Sequence, residues 1–214
     1  PEYITDYICR NTIIPYLAKK NAKTPRELVL EYSADLSELE KKFASLKILD
    51  PACGSGAFLV KAVDVLLEIH KEMQLFKENK GEYLAVKKGR KHKKDEVQFT
   101  LVKWSEEDEA RKIIEKSIFG VDLNEDSVDI TKLSIFFKIA RKNRKLMDLT
   151  NNIKCGNSLI ADKLVDEKHA FNWKEQFPFK FDIVIGNPPY VFGRDFGIGF
   201  GATKQYFNET YRIA

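Results

Sequence analysis

"LKILDPACGSGAFLV", residues 46–60, runs from a short apolar segment through a loop with two glycines into an apolar helical segment. A strand, a glycine loop and a helix in this order open an α/β unit. The loop has neither the Gly-x-Gly-x-x-Gly spacing of dinucleotide-binding folds nor the Gly-Lys-Ser/Thr ending of a P-loop. Asp50 ends the predicted strand, and a carboxylate there disfavours a phosphate and suits a ligand with a cationic group. An ordinary tight turn is the alternative interpretation of the glycines alone.

Strands and helices alternate along the rest of the chain. Strands are predicted in residues 46–50, 118–122, 152–159 and 181–186. Helices are predicted in residues 2–17, 24–32, 57–73, 106–117 and 124–143. The apolar face of the first helix is predicted to contain Ile4, Tyr7, Ile8 and Ile14. This alternation predicts an α/β fold with a mainly parallel sheet, whose ligands lie at the carboxyl ends of the strands. Polar residues occupy those ends: Asp50, Asp122, Asn157 and Asn187.

Composition limits the class of protein. The chain has 214 residues, 43% of them hydrophobic and 32% charged, which suits one sizeable domain with a core. A net charge of +4 excludes a polycation, so any nucleic-acid surface is local. Three cysteines without a Cys-x-x-Cys motif indicate reduced thiols and a cytoplasmic location. The histidines lack ligand spacing, so no metal site is predicted. No membrane segment is predicted either.

The stretch "FDIVIGNPPYVFG", residues 181–193, ends a predicted buried strand in Asn187, two prolines and Tyr190. Each proline fixes its own φ, so the turn is stiff. It presents an amide, a free carbonyl and an aromatic face at one point. A solvent-exposed loop that merely ends the strand is the alternative interpretation.

"DPACGSGAFL" and "NPPY" together resemble the S-adenosylmethionine-dependent adenine-N6 DNA methyltransferases of restriction-modification systems, in the gamma-group order of motifs. The resemblance extends over nearly the whole chain and is closest to enzymes in which methylase, target-recognition and sometimes nuclease regions share one polypeptide. It implies a Rossmann-like methyltransferase fold, truncated at the C-terminal side, with an N-terminal helical segment at residues 1–46. The methyltransferase core then covers residues 47–214, with an insertion at about 76–105.

The resemblance implies a set of cofactor-binding residues. Asp50 binds the methionine ammonium of S-adenosylmethionine, and Asp122 accepts the ribose hydroxyls. Asn157 stands where many relatives have an aspartate for the adenine amino group. Asp64 and Glu68 are closer to the glycines than Asp122 but lie inside a predicted helix. The remaining residues implied in cofactor binding are Pro1, Ile4, Pro51, Ala52, Cys53, Gly54, Gly56, Leu123 and Ser158. Cys53 is interpreted as a packing residue within this loop rather than a nucleophile.

The resemblance also implies a catalytic turn. The Asn187 side-chain oxygen and the Pro188 carbonyl accept the N–H bonds of an adenine N6 amine and aim its lone pair at the sulfonium methyl. Pro189 stiffens the turn, and Tyr190 stacks on the base. The base must leave its duplex to reach the turn, so double-stranded DNA with one flipped adenine is the expected partner.

Several alternatives stay open at the level of sequence. The acceptor is a protein glutamine, an RNA base or, less favoured, cytosine N4, or the chain is a non-catalytic cofactor-binding scaffold. The basic run at residues 87–94 is a DNA contact or a solvated loop. The Gly-rich, aromatic segment at residues 191–207 is predicted to be a mobile, substrate-facing loop. The chain starts without Met and reads as an excised fragment, so we expect it to bind cofactor and transfer methyl poorly without its missing regions.

Overall fold

The computed structural model of the chain describes residues 2–79, 106–139, 147–189 and 201–211. Pro1, Tyr190 and the basic run at residues 87–94 lie outside these ranges, as does most of the predicted insertion. No helix in the described ranges is long and apolar enough to span a membrane.

The described strands form a four-stranded parallel sheet in the order β3-β2-β1-β4. The strands are β1 (Ile48–Asp50), β2 (Ile118–Asp122), β3 (Ile153–Cys155) and β4 (Ile183–Val184). Each falls inside a predicted strand, so the α/β class and the parallel sheet are confirmed. Because all four strands run the same way, their carboxyl ends lie at one edge of the sheet.

Eight helices are described. They are α1 (Glu2–Leu17), α2 (Pro25–Glu31), α3 (Leu36–Ser45), α4 (Ala57–Glu78), α5 (Glu106–Ser117), α6 (Glu125–Ile139), α7 (Trp173–Gln176) and α8 (Gly201–Tyr211). Local sequence sets where several of them begin. Thr24 caps α2 by accepting the Glu27 N–H, and Pro25 occupies the first helical position. The Asn124 side chain accepts the backbone N–H groups of Asp126 and Ser127 at the start of α6.

One face of the sheet packs against helices. Residues of β1 and β2 alternate between the two faces, so Ile48 and Ile118 enter the larger core cluster with apolar residues of α1, α2, α4, α5 and α6. Helix α1 packs along α4 and is joined to it by paired hydrogen bonds of 2.7 Å from Arg10 to Glu68. Asp64 also pairs with Lys138 at 2.6 Å. These two helical carboxylates, Asp64 and Glu68, are therefore engaged in ion pairs with neighbouring helices.

The other face is covered by an aromatic segment. Leu49, Phe119 and Val121 pack there with Phe171 and Phe177. Phe179 and Phe181 join the same ring cluster, with centroids 5.0 and 5.6 Å from that of Phe119. This segment leads into β4, at whose start the Asp182 N–H donates to the Lys47 carbonyl at 2.9 Å.

Three features differ from the predictions. The apolar face predicted for α1 is wrong in part, since Tyr7 is 67% exposed and Ile4 40% exposed. Ile14 is buried and Ile8 packs against the core as predicted, and the other buried residues of α1 are Cys9, Ile13 and Leu17. Helices α3 and α7 were not predicted. The segment predicted as a loop at residues 191–207 is helical from Gly201 onward, because α8 spans Gly201–Tyr211.

Candidate functional site

Asp50 is a buried charged group at the carboxyl edge of the sheet. The residue is 1% exposed, and Oδ1 accepts the Ala52 N–H at 3.1 Å. Within the described residues it has no cationic partner. Burial raises the pKa of its carboxyl from 3.8 to about 6, and the negative charge of Asp122 adds to this effect. A cation that binds beside a buried carboxylate of this kind stabilises its ionised form.

Residues 51–56, called the glycine loop from here on, are held by β2. The Cys53 N–H donates to the Val121 carbonyl at 3.0 Å, and the Gly54 N–H donates to Asp122 Oδ2 at 2.8 Å. Gly54 and Gly56 have φ values of +53° and +83°, a backbone conformation that residues with a side chain rarely adopt. A Cβ at Gly54 would meet no atom within 4 Å, so the backbone there borders open space.

Cys53 lies inside the glycine loop and is 6% exposed. Burial raises the pKa of its thiol to about 12. A thiol that stays protonated is a weak nucleophile, and this supports the interpretation of Cys53 as a packing residue.

Asp122 joins three segments at the end of β2. Its Oδ2 accepts the Gly54 N–H, and its Oδ1 accepts the Asn124 N–H at 3.0 Å. The Gly156 N–H donates to its backbone carbonyl at 2.9 Å. Leu123 follows it and is 51% exposed. Each carboxylate oxygen has a second lone pair, so Asp122 can hold the loop and still accept a hydroxyl.

Asn157 and Ser158 follow β3 and are engaged by their neighbours. Asn157 Oδ1 accepts the Leu159 N–H at 3.1 Å, and its Nδ2 donates to Asp166 at 3.0 Å. Ser158 Oγ donates to the carbonyl of Pro51. Ser158 therefore ties the turn after β3 to the glycine loop, while most of the Asn157 amide is used within its own turn.

The Asn-Pro-Pro turn, residues 187–189, follows β4 after Ile185 and Gly186. The Ile185 N–H donates to the Leu49 carbonyl at 2.8 Å, which keeps the chain paired with β1 up to the turn. A Cβ at Gly186 would lie 2.4 Å from Asp50 Oδ1. The carboxylate thus occupies the space that a side chain at position 186 would need. Asn187, Pro188 and Pro189 are all exposed.

The first turn of α1 lies near the end of the glycine loop. Glu2 and Thr5 line the same cavity, about 500 Å³ in volume, as Ser55 and Ala57. Ile4 is not among its lining residues, and Pro1 lies outside the described ranges. The structure thus brings together Asp50, the glycine loop, Asp122, Ser158 and the residues that precede Asn187. The individual roles of the predicted site residues stay predictions.

Thr131 is a residue of this site that sequence reasoning missed. It lies in α6, fully buried, and its Oγ1 donates to the Gly54 carbonyl at 2.6 Å. In the sequence it is an ordinary helical threonine. Only the packing of α6 against the glycine loop reveals its contact.

Comparison with known proteins finds similarity to restriction-modification methylases. Residues 116–214 match the model of the Eco57I restriction-modification methylase family. The chain is 27% identical over 203 residues to the type II restriction enzyme and methyltransferase RM.Eco57I of Escherichia coli, covering 89% of this chain and 17% of that protein. It is 28% identical over 201 residues to the putative type II restriction enzyme and methyltransferase RM.MjaORFECS2P of Methanocaldococcus jannaschii, covering 75% of this chain and 14% of that protein.

A third relative is the adenine-specific methyltransferase PglX of Lacticaseibacillus casei, 27% identical over 116 residues, 54% of this chain and 7% of that protein. The chain therefore spans less than a fifth of the length of each of these relatives. The matches confirm the predicted resemblance to restriction-modification methylases.

Proposed function

We propose, with the match to restriction-modification methylases as the premise, that this chain carries the cofactor pocket and catalytic turn of a DNA methyltransferase. The full-length protein transfers a methyl group from S-adenosylmethionine to the N6 amine of a flipped adenine in double-stranded DNA. It does so as part of a restriction-modification enzyme. The observation that carries the proposal is the contact between Asp50 and Gly186, which puts the glycine loop beside the Asn-Pro-Pro turn. A methyl donor and its acceptor need this adjacency.

The donor set at the strand ends fits S-adenosylmethionine. Asp50 is buried, has a raised pKa and lacks a cationic partner among the described residues, so an ammonium group would compensate its charge. The open space beside Gly54 admits a ligand close to the backbone. Two carboxylates, Asp50 and Asp122, disfavour a phosphate at this edge.

The other cofactor contacts are assigned to the ends of β2 and β3. Asp122 accepts the ribose hydroxyls with the lone pairs that the backbone leaves free, and Leu123 gives an exposed apolar surface beside it. Asn157 Oδ1 keeps one free lone pair, which accepts a hydrogen bond from the adenine amino group. Ser158 acts through the carbonyl of Pro51. The cofactor, when bound, supplies an electrophilic methyl group on its sulfonium.

The Asn-Pro-Pro turn prepares the acceptor. An exocyclic amine is a weak nucleophile because its lone pair is delocalised into the ring. Asn187 Oδ1 and the Pro188 carbonyl accept hydrogen bonds from its two N–H groups. These bonds restore electron density to the nitrogen and fix the direction of its lone pair. Pro188 and Pro189 keep the turn from relaxing. The exposed position of the turn is compatible with access by a base that has left its duplex. Tyr190, which lies outside the described residues, is proposed to stack on that base.

The test uses the full-length protein in a host that lacks DNA methylases. Methylated nucleosides in the host DNA are quantified by mass spectrometry for the wild type and for Asn187→Ala. We expect N6-methyladenine in the wild type and its loss in the variant. Asn151→Ala is the matched control, because Asn151 is exposed and precedes β3 at the opposite edge of the sheet. It should methylate like the wild type.

The other outcomes separate the alternatives. N4-methylcytosine in place of N6-methyladenine would change the acceptor and keep the mechanism. Unmethylated DNA from a soluble protein that binds the cofactor would contradict the DNA proposal and point to a protein or RNA acceptor, or to a scaffold.

A further inference from the structure

We propose that Thr131 is a positioning residue for the cofactor. Its hydroxyl holds the glycine loop in the conformation that receives the amino-acid part of S-adenosylmethionine. This inference rests on the proposed function, because it assumes that the glycine loop binds the methionine end of that cofactor.

The hydrogen bond of Thr131 reaches across the fold. Thr131 and Gly54 are 77 residues apart, and the Thr131 side chain belongs to the helix that follows β2. The 2.6 Å bond from Thr131 Oγ1 to the Gly54 carbonyl is made by a residue that is 0% exposed. Because water cannot replace a hydroxyl at a fully buried position, its loss leaves the Gly54 carbonyl without this donor.

Both peptide groups of Gly54 are fixed by partners outside the loop. Its N–H is bound by Asp122 at 2.8 Å and its carbonyl by Thr131. Gly54 has a φ of +53° and borders open space on its Cα side. A glycine explores positive and negative φ with similar ease, so an unanchored loop would populate several conformations. The two hydrogen bonds select one of them before the cofactor arrives, which avoids an ordering cost on binding.

The packing of Thr131 acts on the second glycine of the loop. A Cβ at Gly56 would lie 3.0 Å from Thr131 Cγ2 and 3.1 Å from its Oγ1. Thr131 Oγ1 also lies 3.8 Å from Cys53 Sγ. The threonine therefore fills the space left by the missing side chain at Gly56, and its hydroxyl is directed at the loop backbone.

Thr131→Val and Thr131→Ser separate the hydroxyl from the shape of the side chain. Valine keeps the branched shape and removes the donor, whereas serine keeps the donor and removes one methyl group. Thr131→Ala is a second hydroxyl-free variant that places no methyl group against the Gly54 carbonyl. Ile135→Val is the control for packing, since Ile135 lies one turn further along the same helix and is fully buried.

The measurement is isothermal titration of the full-length protein with two ligands. S-adenosylhomocysteine has the amino-acid part of the cofactor, and 5′-methylthioadenosine has the same adenosine and thioether without it. We expect Thr131→Val and Thr131→Ala to weaken S-adenosylhomocysteine binding by roughly tenfold, the value of one lost hydrogen bond. Binding of 5′-methylthioadenosine should be unchanged. Thr131→Ser should stay within about threefold of the wild type for both ligands.

The contrary results are distinct. Equal weakening of both ligands, matched by Ile135→Val, would overturn the inference and leave Thr131 a packing residue. Wild-type affinity in both hydroxyl-free variants would overturn it as well, with the proposed cofactor intact. A wild-type protein that binds neither ligand would defeat the cofactor proposal itself, and the inference with it.

Discussion

The glycine loop and the Asn-Pro-Pro turn lie side by side, but they are held very differently. Four partners from distant segments of the chain bond to the glycine loop: Val121, Asp122, Thr131 and Ser158. In the turn, Asn187, Pro188 and Pro189 are exposed and make no hydrogen bond to any other described residue. Rigidity there comes from the prolines themselves. The difference teaches that the glycine loop, the proposed cofactor side, is organised by tertiary contacts, whereas the turn, the proposed acceptor side, is organised by local covalent geometry.

The contact between Asp50 and Gly186 joins the two regions, and Gly186→Ala should break it. The new Cβ would lie 2.4 Å from Asp50 Oδ1, so either the carboxylate or the turn must move. We expect methyl transfer to fall by at least about 100-fold, since a displacement near 1 Å can cost that much. The free energy of unfolding should fall by roughly 1–3 kcal/mol.

A double-mutant cycle checks the cause of the Gly186→Ala effect. In an Asp50→Ala background the carboxylate is gone, so Gly186→Ala should lower the free energy of unfolding much less, as measured by urea denaturation. Equal costs in both backgrounds would mean that the two regions are not joined through this contact.

Asp50→Asn tests the glycine-loop region separately from the Asn-Pro-Pro turn. Removal of the charge should weaken S-adenosylhomocysteine binding by about 100-fold in titration calorimetry, because a charge-assisted hydrogen bond is lost. The exposed turn should be unaffected. Asp129→Asn is the control, since Asp129 is an exposed α6 residue paired with Lys132, and it should bind like the wild type.

The same variant should be more stable than the wild type above pH 6. The Asp50 pKa rises from 3.8 to about 6 on folding, so the folded chain binds more protons than the unfolded chain between these pH values. Ionisation of Asp50 therefore costs stability above about pH 6, and this cost disappears as the pH falls toward 4. We expect Asp50→Asn to gain about 1–3 kcal/mol at pH 8, with the gain shrinking toward pH 4. An equal difference in the free energy of unfolding between Asp50→Asn and the wild type at pH 8 and pH 4 would contradict this prediction.

Cofactor affinity should depend on pH with the opposite sign to stability. Only ionised Asp50 attracts an ammonium group, and its pKa is about 6. S-adenosylhomocysteine affinity should therefore rise by about tenfold from pH 5 to pH 7. Titrations across this range test it, and Asp50→Asn should remove the dependence. An unchanged slope in the variant would assign it to another group.

The smallest effect is expected for Ser158→Ala. This change removes the hydrogen bond to the Pro51 carbonyl and leaves the other three distant partners of the glycine loop in place. We expect cofactor affinity to fall by about threefold and the free energy of unfolding by roughly 1 kcal/mol. A loss as large as that of Thr131→Val would mean that the anchors of the glycine loop act as one network.

Much of the fold is readable from local pattern. The strand ending in Asp50 and the helix capped by Asn124 follow from period, turn residues and caps. Helix α3 had a readable signal, because Asp35 accepts the Ser37 N–H and Leu39 and Phe43 are buried one turn apart. Helix α8 had none, since its glycine-rich start is typical of a loop.

The site was less predictable, because its organisation depends on contacts between distant segments. Motif order placed Asp50, Asp122 and Asn187 at strand ends. The roles of Thr131 and Gly186 were invisible, because each is defined by a neighbour more than 70 residues away in sequence. The exposed face of α1 was misjudged for the same reason. Its apolar residues Ile4 and Tyr7 fit the helical period, but α4 packs against a different side.

The two prolines of the turn have a further consequence for strand pairing. Among the described strands, β4 pairs on one side only, and Val184 is 63% exposed. An unpaired strand edge is a template on which other chains can aggregate. Pro188 and Pro189 carry no N–H, so a pairing strand cannot extend past Asn187. The dipeptide therefore sets where any strand that pairs with this side of β4 must end.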